Sequence, residues 1–440
     1  MKSVVAPALL ALAASSLVAC ARSEASPAQH AAPSASPKAT SPTAASVDAR
    51  AAAPAPPFNV LLLTIDSLRA DMPWAGYPRP IAPRLTALQA RAIDYPHGYS
   101  ISSFTSKSLG GLLGGRYPSE MERTGVFFTR YLAKNTMACE TLAEAGVPCV
   151  AGHAHGYLGK GVAGLDQGFR SWSLVPGITF DFNKDPYVTS DKLTKLAIDT
   201  LSDQELTSRP FLAWFHYMDP HDVYQSHDGP HWGTRARDRY DEEVLFTDGW
   251  IGKLLDFVEA ESWAARTVIV VSADHGEAFG EHSEFRHGHE LYEELVHVPL
   301  FFVVPGQPAR TIDAARSQID LMPTLFELLG QNPSSAGEGK SFARELLGGA
   351  AEPSRDVICD LPQDDFNERR RSILHDGWKL ISFGDDARFS LFDLGTDPGE
   401  KTDLFWKRRD VATDMVKRYK EANRSIADLP PVGGIPTHDH

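Results

Sequence analysis

The sequence predicts an α/β protein: a three-layer α/β/α core with a mostly parallel central sheet, followed by a C-terminal subdomain with a small antiparallel sheet. Apolar, β-branched runs such as residues 59–65 and 267–272 are typical of strands buried on both faces, as in parallel sheets. Segments with helical spacing alternate with such runs from about residue 58 to 330, which favours helices on both faces of one sheet. After Gly349 the pattern changes to short strand-like runs and a charged helix.

The individual elements follow from local patterns. Apolar runs predict strands at residues 59–66, 147–152, 210–218, 267–272 and 298–304. Amphipathic spacing predicts helices at residues 82–92, 106–113, 131–145, 192–201, 242–259 and 320–329. In the C-terminal part, residues 378–383 and 388–394 predict an antiparallel pair of strands, and residues 410–423 predict a helix.

The first 57 residues do not have the composition of a folded domain. Lys2 and an apolar stretch at residues 4–18 are typical of an export signal, and the stretch is too short to span a bilayer. Leu17-Val18-Ala19-Cys20 resembles a bacterial lipoprotein cleavage box, so we expect Cys20 to be lipidated; a plain secretory signal with an incidental cysteine is the alternative. Acyl chains on Cys20 would anchor an exported protein to the periplasmic face of a membrane or to the cell surface.

Composition also sets the domain boundaries. Residues 21–57 are rich in Ala, Pro and Ser and cannot form a core, so we expect an extended tether there. We therefore divide the chain into a signal peptide at 1–20, the tether at 21–57, a main domain at 58–345, a C-terminal subdomain at 346–425 and a tail at 426–440. The formal net charge of -14 argues against a nucleic-acid partner, which would require a basic face.

Three further cysteines, Cys139, Cys149 and Cys359, permit at most one internal disulfide. Cys139 and Cys149 flank a predicted helix–strand corner and could pair in an oxidising compartment. Two buried thiols are the alternative. No Cys-x-x-Cys motif is present in the sequence, so a thiolate metal site is not expected.

Polar side chains follow several of the predicted strands and turns. Asp66 ends the first strand, Asp219 and His221 follow the strand at 210–218, and Asp274 and His275 follow the strand at 267–272. The carboxyl ends of parallel strands are where ligands bind in such sheets, so these groups could converge at one edge. A carboxylate beside an imidazole offers oxygen and nitrogen ligands to a divalent metal. A helix-capping acid and a surface histidine are the alternative for any one of these motifs.

The motifs occur in an order that resembles the sulfatase branch of the alkaline-phosphatase-like superfamily, from about residue 58 to about 404. The resemblance implies a metal-dependent ester hydrolase with the layered fold described above. The matching segments include Thr64-Ile-Asp66-Ser-Leu-Arg69, Leu112-Leu-Gly-Gly-Arg116-Tyr-Pro118, Phe215-His-Tyr-Met-Asp219-Pro-His221, Ser272-Ala-Asp274-His275-Gly, His287-Gly, Ile319-Asp-Leu-Met-Pro-Thr and Leu391-Phe-Asp-Leu.

One position departs from this family. The resemblance places a Cys or Ser, matured to formylglycine, before a Pro-Ser-Arg signature; counting back from Gly114-Gly-Arg-Tyr-Pro118, that position holds Thr105. Ser106-Lys107-Ser108 follows it, without the Pro or the Arg. Threonine cannot be oxidised to that aldehyde, and it resembles the nucleophile of phosphoryl-handling relatives. We therefore expect Thr105 to act on a phosphate mono- or diester, with a sulfate ester as the second choice.

The resemblance also implies a metal site. Asp66, Asp274 and His275 are the candidate ligands beside Thr105, and this oxygen-rich set with one imidazole suits Zn or Mn, or else Ca or Mg. A metal beside the hydroxyl would activate a weak nucleophile. His287, at a spacing where phosphoryl-transferring relatives have a histidine, would support a second metal ion or the phosphate.

The remaining candidates would contact substrate. Lys107 is the expected cation beside the transferred group, Asp219 and His221 would complete the second side of the site, and His221 would donate a proton to the leaving oxygen. His216 is expected to face the core. The substrate class stays open among small-molecule, glycan and lipid esters. A headgroup transferase of the phosphoethanolamine or phosphoglycerol type and a glycan-binding pseudoenzyme are the alternative functions.

Overall fold

The computed structural model of the chain describes residues 57–180 and 186–436. The predicted signal peptide at 1–20, Cys20 and nearly all of the tether at 21–57 lie outside the described residues, as do the last four residues of the predicted tail. The described residues belong to one compact unit.

The strands are, in chain order, β1 (Asn59–Ile65), β2 (Ile93–Asp94), β3 (Gly98–Tyr99), β4 (Cys149–His153), β5 (Ser171–Leu174), β6 (Leu212–Tyr217), β7 (Thr267–Ala273), β8 (Ala278–Phe279), β9 (Phe285–Arg286), β10 (Leu300–Val303), β11 (Arg310–Thr311), β12 (Arg316–Ser317), β13 (Val357–Leu361), β14 (Arg370–His375), β15 (Trp378–Phe383) and β16 (Arg388–Asp393). The helices are α1 (Pro83–Gln89), α2 (Thr105–Gly114), α3 (Ala138–Glu144), α4 (Ser190–Leu201), α5 (Gln204–Thr207), α6 (Ala236–Ala260), α7 (Glu293–Val296), α8 (Leu321–Leu328), α9 (Ala343–Leu346) and α10 (Arg409–Asn423).

A mostly parallel sheet of eight strands forms the centre of the molecule, in the order β11-β2-β10-β7-β1-β6-β4-β5. β1 pairs in parallel with both β6 and β7, and all three strands are buried along their whole length. β10 runs antiparallel to β7 and β2. The predicted fold class is confirmed, and the apolar runs were informative because both faces of these strands are covered.

Helices cover the two faces of this sheet. Val60 and Leu62 of β1 pack into one apolar cluster, which also contains side chains of α2, α3, α8 and α9. Leu61 and Leu63 point the other way, into a cluster with α1, α4 and α6. Successive side chains of a strand point to opposite faces, so one apolar run contributes to two cores.

The C-terminal part forms a second sheet of four antiparallel strands, β13-β14-β15-β16. The sequence predicted β15 and β16 as a pair, and the structure adds β13 and β14. One face of this sheet packs on Ala412, Met415 and Tyr419 of α10. The other face packs against the main domain near Tyr99 and Phe104.

Two local features differ from expectation or decide between alternatives. The helix predicted over residues 131–145 is shorter in the structure, where only α3 is helical. Glu140 accepts a hydrogen bond from the backbone N–H of Met137 and so caps the start of this helix. Asn135 lies before it, in a turn closed by a hydrogen bond from its backbone N–H to the carbonyl oxygen of Leu132. Cys139, Cys149 and Cys359 are buried thiols without a disulfide. Within the described residues, no helix is both long and apolar enough to cross a bilayer.

Candidate active site

The register of the central strands brings two acids together. Ile65 at the end of β1 is the pairing partner of Ala273 at the end of β7, so Asp66 and Asp274 each follow one residue later at the same sheet edge. His275 comes next in the chain. Asp66, Asp274 and His275 form a buried group, here named the triad, whose ligand atoms all lie within 4.8 Å of one another.

In each acid of the triad, one carboxylate oxygen accepts local hydrogen bonds and the other accepts none. Asp66 Oδ1 accepts from Ser67 Oγ at 3.0 Å, and Asp274 Oδ1 accepts from the backbone N–H of His275 at 2.9 Å. Asp66 Oδ2 and Asp274 Oδ2 have no hydrogen-bond partner among the described residues. Buried carboxylate oxygens are rarely left unsatisfied, so each such atom requires an explanation.

The protonation state of His275 can be derived from its contacts. Its Nδ1 lies 2.9 Å from the carbonyl oxygen of Gly276, which can only accept, so Nδ1 carries the proton. Burial lowers the pKa of His275, with the charge of Asp66 opposing that effect, so the ring is neutral. Nε2 therefore presents a lone pair, 3.3 Å from Asp274 Oδ2 and 3.7 Å from Asp66 Oδ1.

This arrangement fits a divalent cation. Three lone-pair donors face one another in a buried space, and a cation is the group that would attract all three. Burial, followed by the charge of Asp66, raises the pKa of Asp274 to about 8. Burial would also raise the pKa of Asp66, but the neighbouring His216 and His221 hold it well below the usual range. Repulsion between the two carboxylates therefore favours ionisation of only one of them unless a cation lies between them.

Thr105 lies beside the triad at the N-terminus of α2. Its Oγ1 is 3.0 Å from His275 Nε2, and its side chain is almost fully buried. Since Nε2 is the unprotonated nitrogen, the hydroxyl donates this bond. Ser108, one turn later, donates a hydrogen bond to the carbonyl oxygen of Asp274, which fixes α2 against the end of β7. The hydroxyl of Thr105 is therefore positioned next to the candidate metal ligands.

His216 is a residue of the site that the sequence assigned only to the core. It is buried, as expected, but its Nε2 lies 3.4 Å from Asp66 Oδ2. Trp214 Nε1 donates to Thr64 Oγ1 at 2.8 Å, and Thr64 Oγ1 lies 2.8 Å from His216 Nδ1. Since Thr64 accepts from Trp214, its own hydrogen is available for His216 Nδ1, and Nε2–H then faces Asp66. The pairing of β6 with β1 could have suggested this, because it sets His216 opposite Thr64.

Further histidines line one side of the triad. The ring of His287 is 4.1 Å from that of His275, and the ring of His221 is 5.1 Å from that of His287. Glu277 Oε1 lies 3.0 Å from His287 Nδ1 and orients that ring. The ring of His155, which follows β4, is 5.8 Å from that of His221. The structure therefore gathers His221 and His287 with the triad and adds His155 to them.

Lys107 and Asp219 have partners of their own. Lys107 Nζ is fully buried in an ion pair with Asp364, from the C-terminal subdomain. Burial lowers the pKa of Lys107, and Asp364 opposes that effect. Both oxygens of Asp219 accept hydrogen bonds at the start of α4, from the backbone N–H groups of Ser190 and of Thr189, the residue before the helix, each at 2.7 Å. Asp219 thus caps the N-terminus of α4, and the charge of Lys107 is already balanced.

Comparison with known proteins agrees with this geometry. The family model described as Sulfatase matches residues 58–331, and a model described as N-sulphoglucosamine sulphohydrolase, C-terminal, matches residues 280–425. An ulvan-active sulfatase of Formosa agariphila is 25% identical over 356 residues, which cover 69% of this chain and 68% of that protein. Arylsulfatase K of Xenopus laevis is 29% identical over 196 residues, 42% of this chain and 36% of that protein, so the match spans little more than a third of its length.

Two solved structures share the fold. A 2-O GAG sulfatase superposes with a TM-score of 0.66 at 19% identity, covering 88% of this chain and 98% of that chain. The phosphonate monoester hydrolase of Agrobacterium radiobacter also has a TM-score of 0.66, at 18% identity, covering 84% of this chain and 96% of that chain. The family model matches more than half of this chain, and these structures share its fold. This chain therefore belongs to the Sulfatase family.

Proposed function

We propose that this protein is a metal-dependent hydrolase that cleaves a phosphate mono- or diester through Thr105, with a sulfate ester as the less favoured substrate. The observation that carries the proposal is the 3.0 Å contact of Thr105 Oγ1 with His275 Nε2, beside two buried acids with unsatisfied oxygens. A threonine in place of the aldehyde-forming residue favours phosphorus over sulfur.

Asp66, Asp274 and His275 would hold the metal, and a second ion near His287 is part of the proposal. Zn, Mn, Ca and Mg all accept oxygen and imidazole donors, so the donor set alone does not choose among them. When bound, the ion supplies positive charge that makes a neighbouring hydroxyl more acidic and offsets charge on the transferred group.

The reaction then uses the chain's own residues. Thr105 Oγ1 attacks phosphorus in line and loses its proton to solvent, while the bond from phosphorus to the organic oxygen breaks. His221 Nδ1 donates to the carbonyl oxygen of Asp222 at 2.7 Å, which leaves Nε2 of the protonated ring to give its proton to the leaving oxygen. Water next attacks the phosphothreonine and returns a proton to His221. Phosphate, or a phosphate monoester when the substrate is a diester, departs, and the Thr105 oxygen takes up a proton from solvent.

Thr105→Ala tests this proposal, with Thr105→Ser as the matched variant that keeps a hydroxyl. We expect the alanine variant to lose hydrolysis of phosphate esters by at least about a thousandfold and the serine variant to retain measurable activity. Mass spectrometry of acid-quenched wild-type protein should show phosphate on the peptide that contains Thr105. Undiminished activity in Thr105→Ala would overturn the mechanism, and faster cleavage of sulfate than of phosphate esters would reverse the substrate preference.

We also propose that Cys20 carries a lipid that anchors the exported protein to the periplasmic face of a membrane or to the cell surface. The support is the Leu17-Val18-Ala19-Cys20 segment after an apolar stretch. Cells grown with a labelled fatty acid should incorporate label into the wild-type protein and not into Cys20→Ala. Equal label in both proteins, or none in either, would contradict the anchor.

A further inference from the structure

A row of three aromatic rings leads away from the nucleophile toward solvent. Phe104 immediately precedes Thr105, is only 5% exposed, and has its ring 6.2 Å from that of His287. The ring of Phe127 lies 3.9 Å from that of Phe104, and the ring of Phe366 lies 5.8 Å from that of Phe127. Phe366 is 66% exposed. Phe104, Phe127 and Phe366, here named the aromatic row, therefore run from the reactive hydroxyl to the surface.

The aromatic row is held in place by its surroundings. Gly288 has a φ of +95°, and a Cβ there would lie 2.9 Å from the rings of both Phe104 and Phe127, so the chain passes these rings as closely as glycine permits. Asp364 Oδ1 accepts the backbone N–H groups of Phe366 and Asn367, each at 2.8 Å, which fixes the loop that presents Phe366. The ring of Phe366 contacts that of Phe127, yet two thirds of the residue remains exposed, so it presents apolar surface to solvent.

Polar groups beside the aromatic row are already engaged. Asp365 Oδ1 accepts the backbone N–H of Phe127 at 2.7 Å. The side-chain amide of Asn367 donates from Nδ2 to the carbonyl oxygen of Gly288 at 3.0 Å, and its Oδ1 lies 2.7 Å from His289 Nδ1. These contacts already engage the side chains of Asp365 and Asn367 and one ring nitrogen of His289.

The charges beside the aromatic row are balanced too. Lys107 Nζ lies 5.0 Å from the ring of Phe104 and 5.2 Å from that of Phe127, but it is paired with Asp364. The charge of Lys107 is therefore not free to bind an additional sulfate or phosphate group of a ligand. An organic group without charge matches these surroundings better than a polyanionic glycan.

We propose that the aromatic row binds the organic group of the substrate, and that this group is an apolar alkyl or aryl chain carrying a single anionic ester. This inference rests on the proposed function, because it takes Thr105 as the reacting group. The apolar chain would lie along Phe127 and Phe366 while the ester reaches Thr105, and burial of its carbon atoms would supply the binding free energy.

Binding of alkylphosphonic acids tests the inference without requiring turnover, since hydrolysis of an ester does not break their P–C bond. We expect calorimetric Kd values for the metal-loaded protein to fall by at least about tenfold from methyl- to hexylphosphonic acid, because each buried methylene contributes. Phe366→Ala should reduce this gain at least about threefold, by removing an exposed part of the binding surface. Trp406→Ala is the matched control: that ring is 76% exposed and packs on Phe405 in the C-terminal subdomain, so the gain should not change.

Any of four results would overturn the inference. Methyl- and hexylphosphonic acid could bind with the same Kd, or neither could bind. The gain in affinity from methyl- to hexylphosphonic acid could be equal in Phe366→Ala and Trp406→Ala, or glucose 6-phosphate could bind more tightly than hexylphosphonic acid. The ester hydrolysis of Thr105→Ala, measured separately, decides the proposed function. A protein that hydrolyses methyl phosphate through Thr105 but shows no dependence of Kd on chain length would keep the proposed function and lose this inference.

Discussion

Two groups of buried charges in this molecule have opposite hydrogen-bond patterns. In the C-terminal subdomain, Asp360 accepts two bonds from the guanidinium of Arg371, at 2.9 and 2.7 Å, and two more from the backbone and hydroxyl of Ser119. In the triad, each acid keeps one oxygen without a partner. Both groups are almost completely buried, so burial alone does not distinguish a structural charge from a functional one. The difference is that in the triad two unsatisfied carboxylate oxygens and an imidazole lone pair face one another, and a bound cation would remove their desolvation cost.

The largest expected contrast is in activity. Asp274→Ala should lower ester hydrolysis by at least about a thousandfold, because it removes one of three ligands of the candidate metal. Metal analysis of the purified variant should show less bound divalent ion than in the wild type, while its urea midpoint should match or exceed that of the metal-stripped wild type. A variant with full metal content and full activity would break the comparison.

The opposite result is expected at Asp360. Asp360→Asn should lower the free energy of unfolding by about 3–5 kcal/mol, because Arg371 is left buried without its counter-charge. The kcat of the folded protein should not change. Urea unfolding measures the first quantity, and Asp385→Asn is the control, since that acid is fully exposed and its replacement should leave stability unchanged. If Asp360→Asn and Asp385→Asn unfold alike, Asp360 is not a structural charge.

Metal removal should change the stability of the triad and leave that of the Asp360–Arg371 pair unaffected, with a smaller effect than the substitutions above. A divalent ion at about a hundred times its Kd should raise the free energy of unfolding of the chelator-treated protein by about 2.7 kcal/mol. We expect the thermal midpoint of Asp274→Ala not to respond to added metal and that of Asp360→Asn to respond as in the wild type. A full response in Asp274→Ala would place the ion elsewhere.

The smallest effect concerns pH. Burial would raise the pKa of Asp360, but Arg371 and Ser119 outweigh it and hold the pKa below the ordinary value. A lowered folded-state pKa means that this stabilisation is complete above the unfolded-state pKa of about 3.9 and is lost as the pH falls through the folded-state value. The difference in unfolding free energy between wild type and Asp360→Asn should therefore be constant from pH 7 to 5 and shrink below pH 4. A difference that grows on acidification would contradict this sign.

The sequence predicted the parts of the site that depend on local pattern. Asp66, Asp274 and His275 follow apolar runs directly, and neighbouring parallel strands end at one sheet edge, so their meeting could be anticipated. Lys107 illustrates what could not be anticipated: its partner Asp364 lies 257 residues away, and only tertiary packing brings the two together. Asp219 is similar, because its use in fixing α4 depends on where that helix docks.

The same distinction holds for the fold. The alternating pattern predicted the layers of the main domain, whose strands are long and buried on both faces. β14 was missed although it is as long as β15 and β16, because it begins with Arg370 and Arg371 and its residues do not alternate. β13 was missed as well; it has five residues and contains the buried Asp360. His216 was predicted to be buried, but its approach to Asp66 depends on the side-by-side pairing of β6 and β1.

The ion pair of Lys107 with Asp364 has a consequence for protein engineering. Lys107 sits in the first turn of α2, two residues after Thr105, whereas its counter-charge comes from the loop after β13. Deletion of residues 346–440, or their exchange for the corresponding part of another protein, would leave an ammonium group buried beside the nucleophile unless the graft supplied its own acid. Recombination of such proteins should therefore transfer this lysine and this aspartate as one unit.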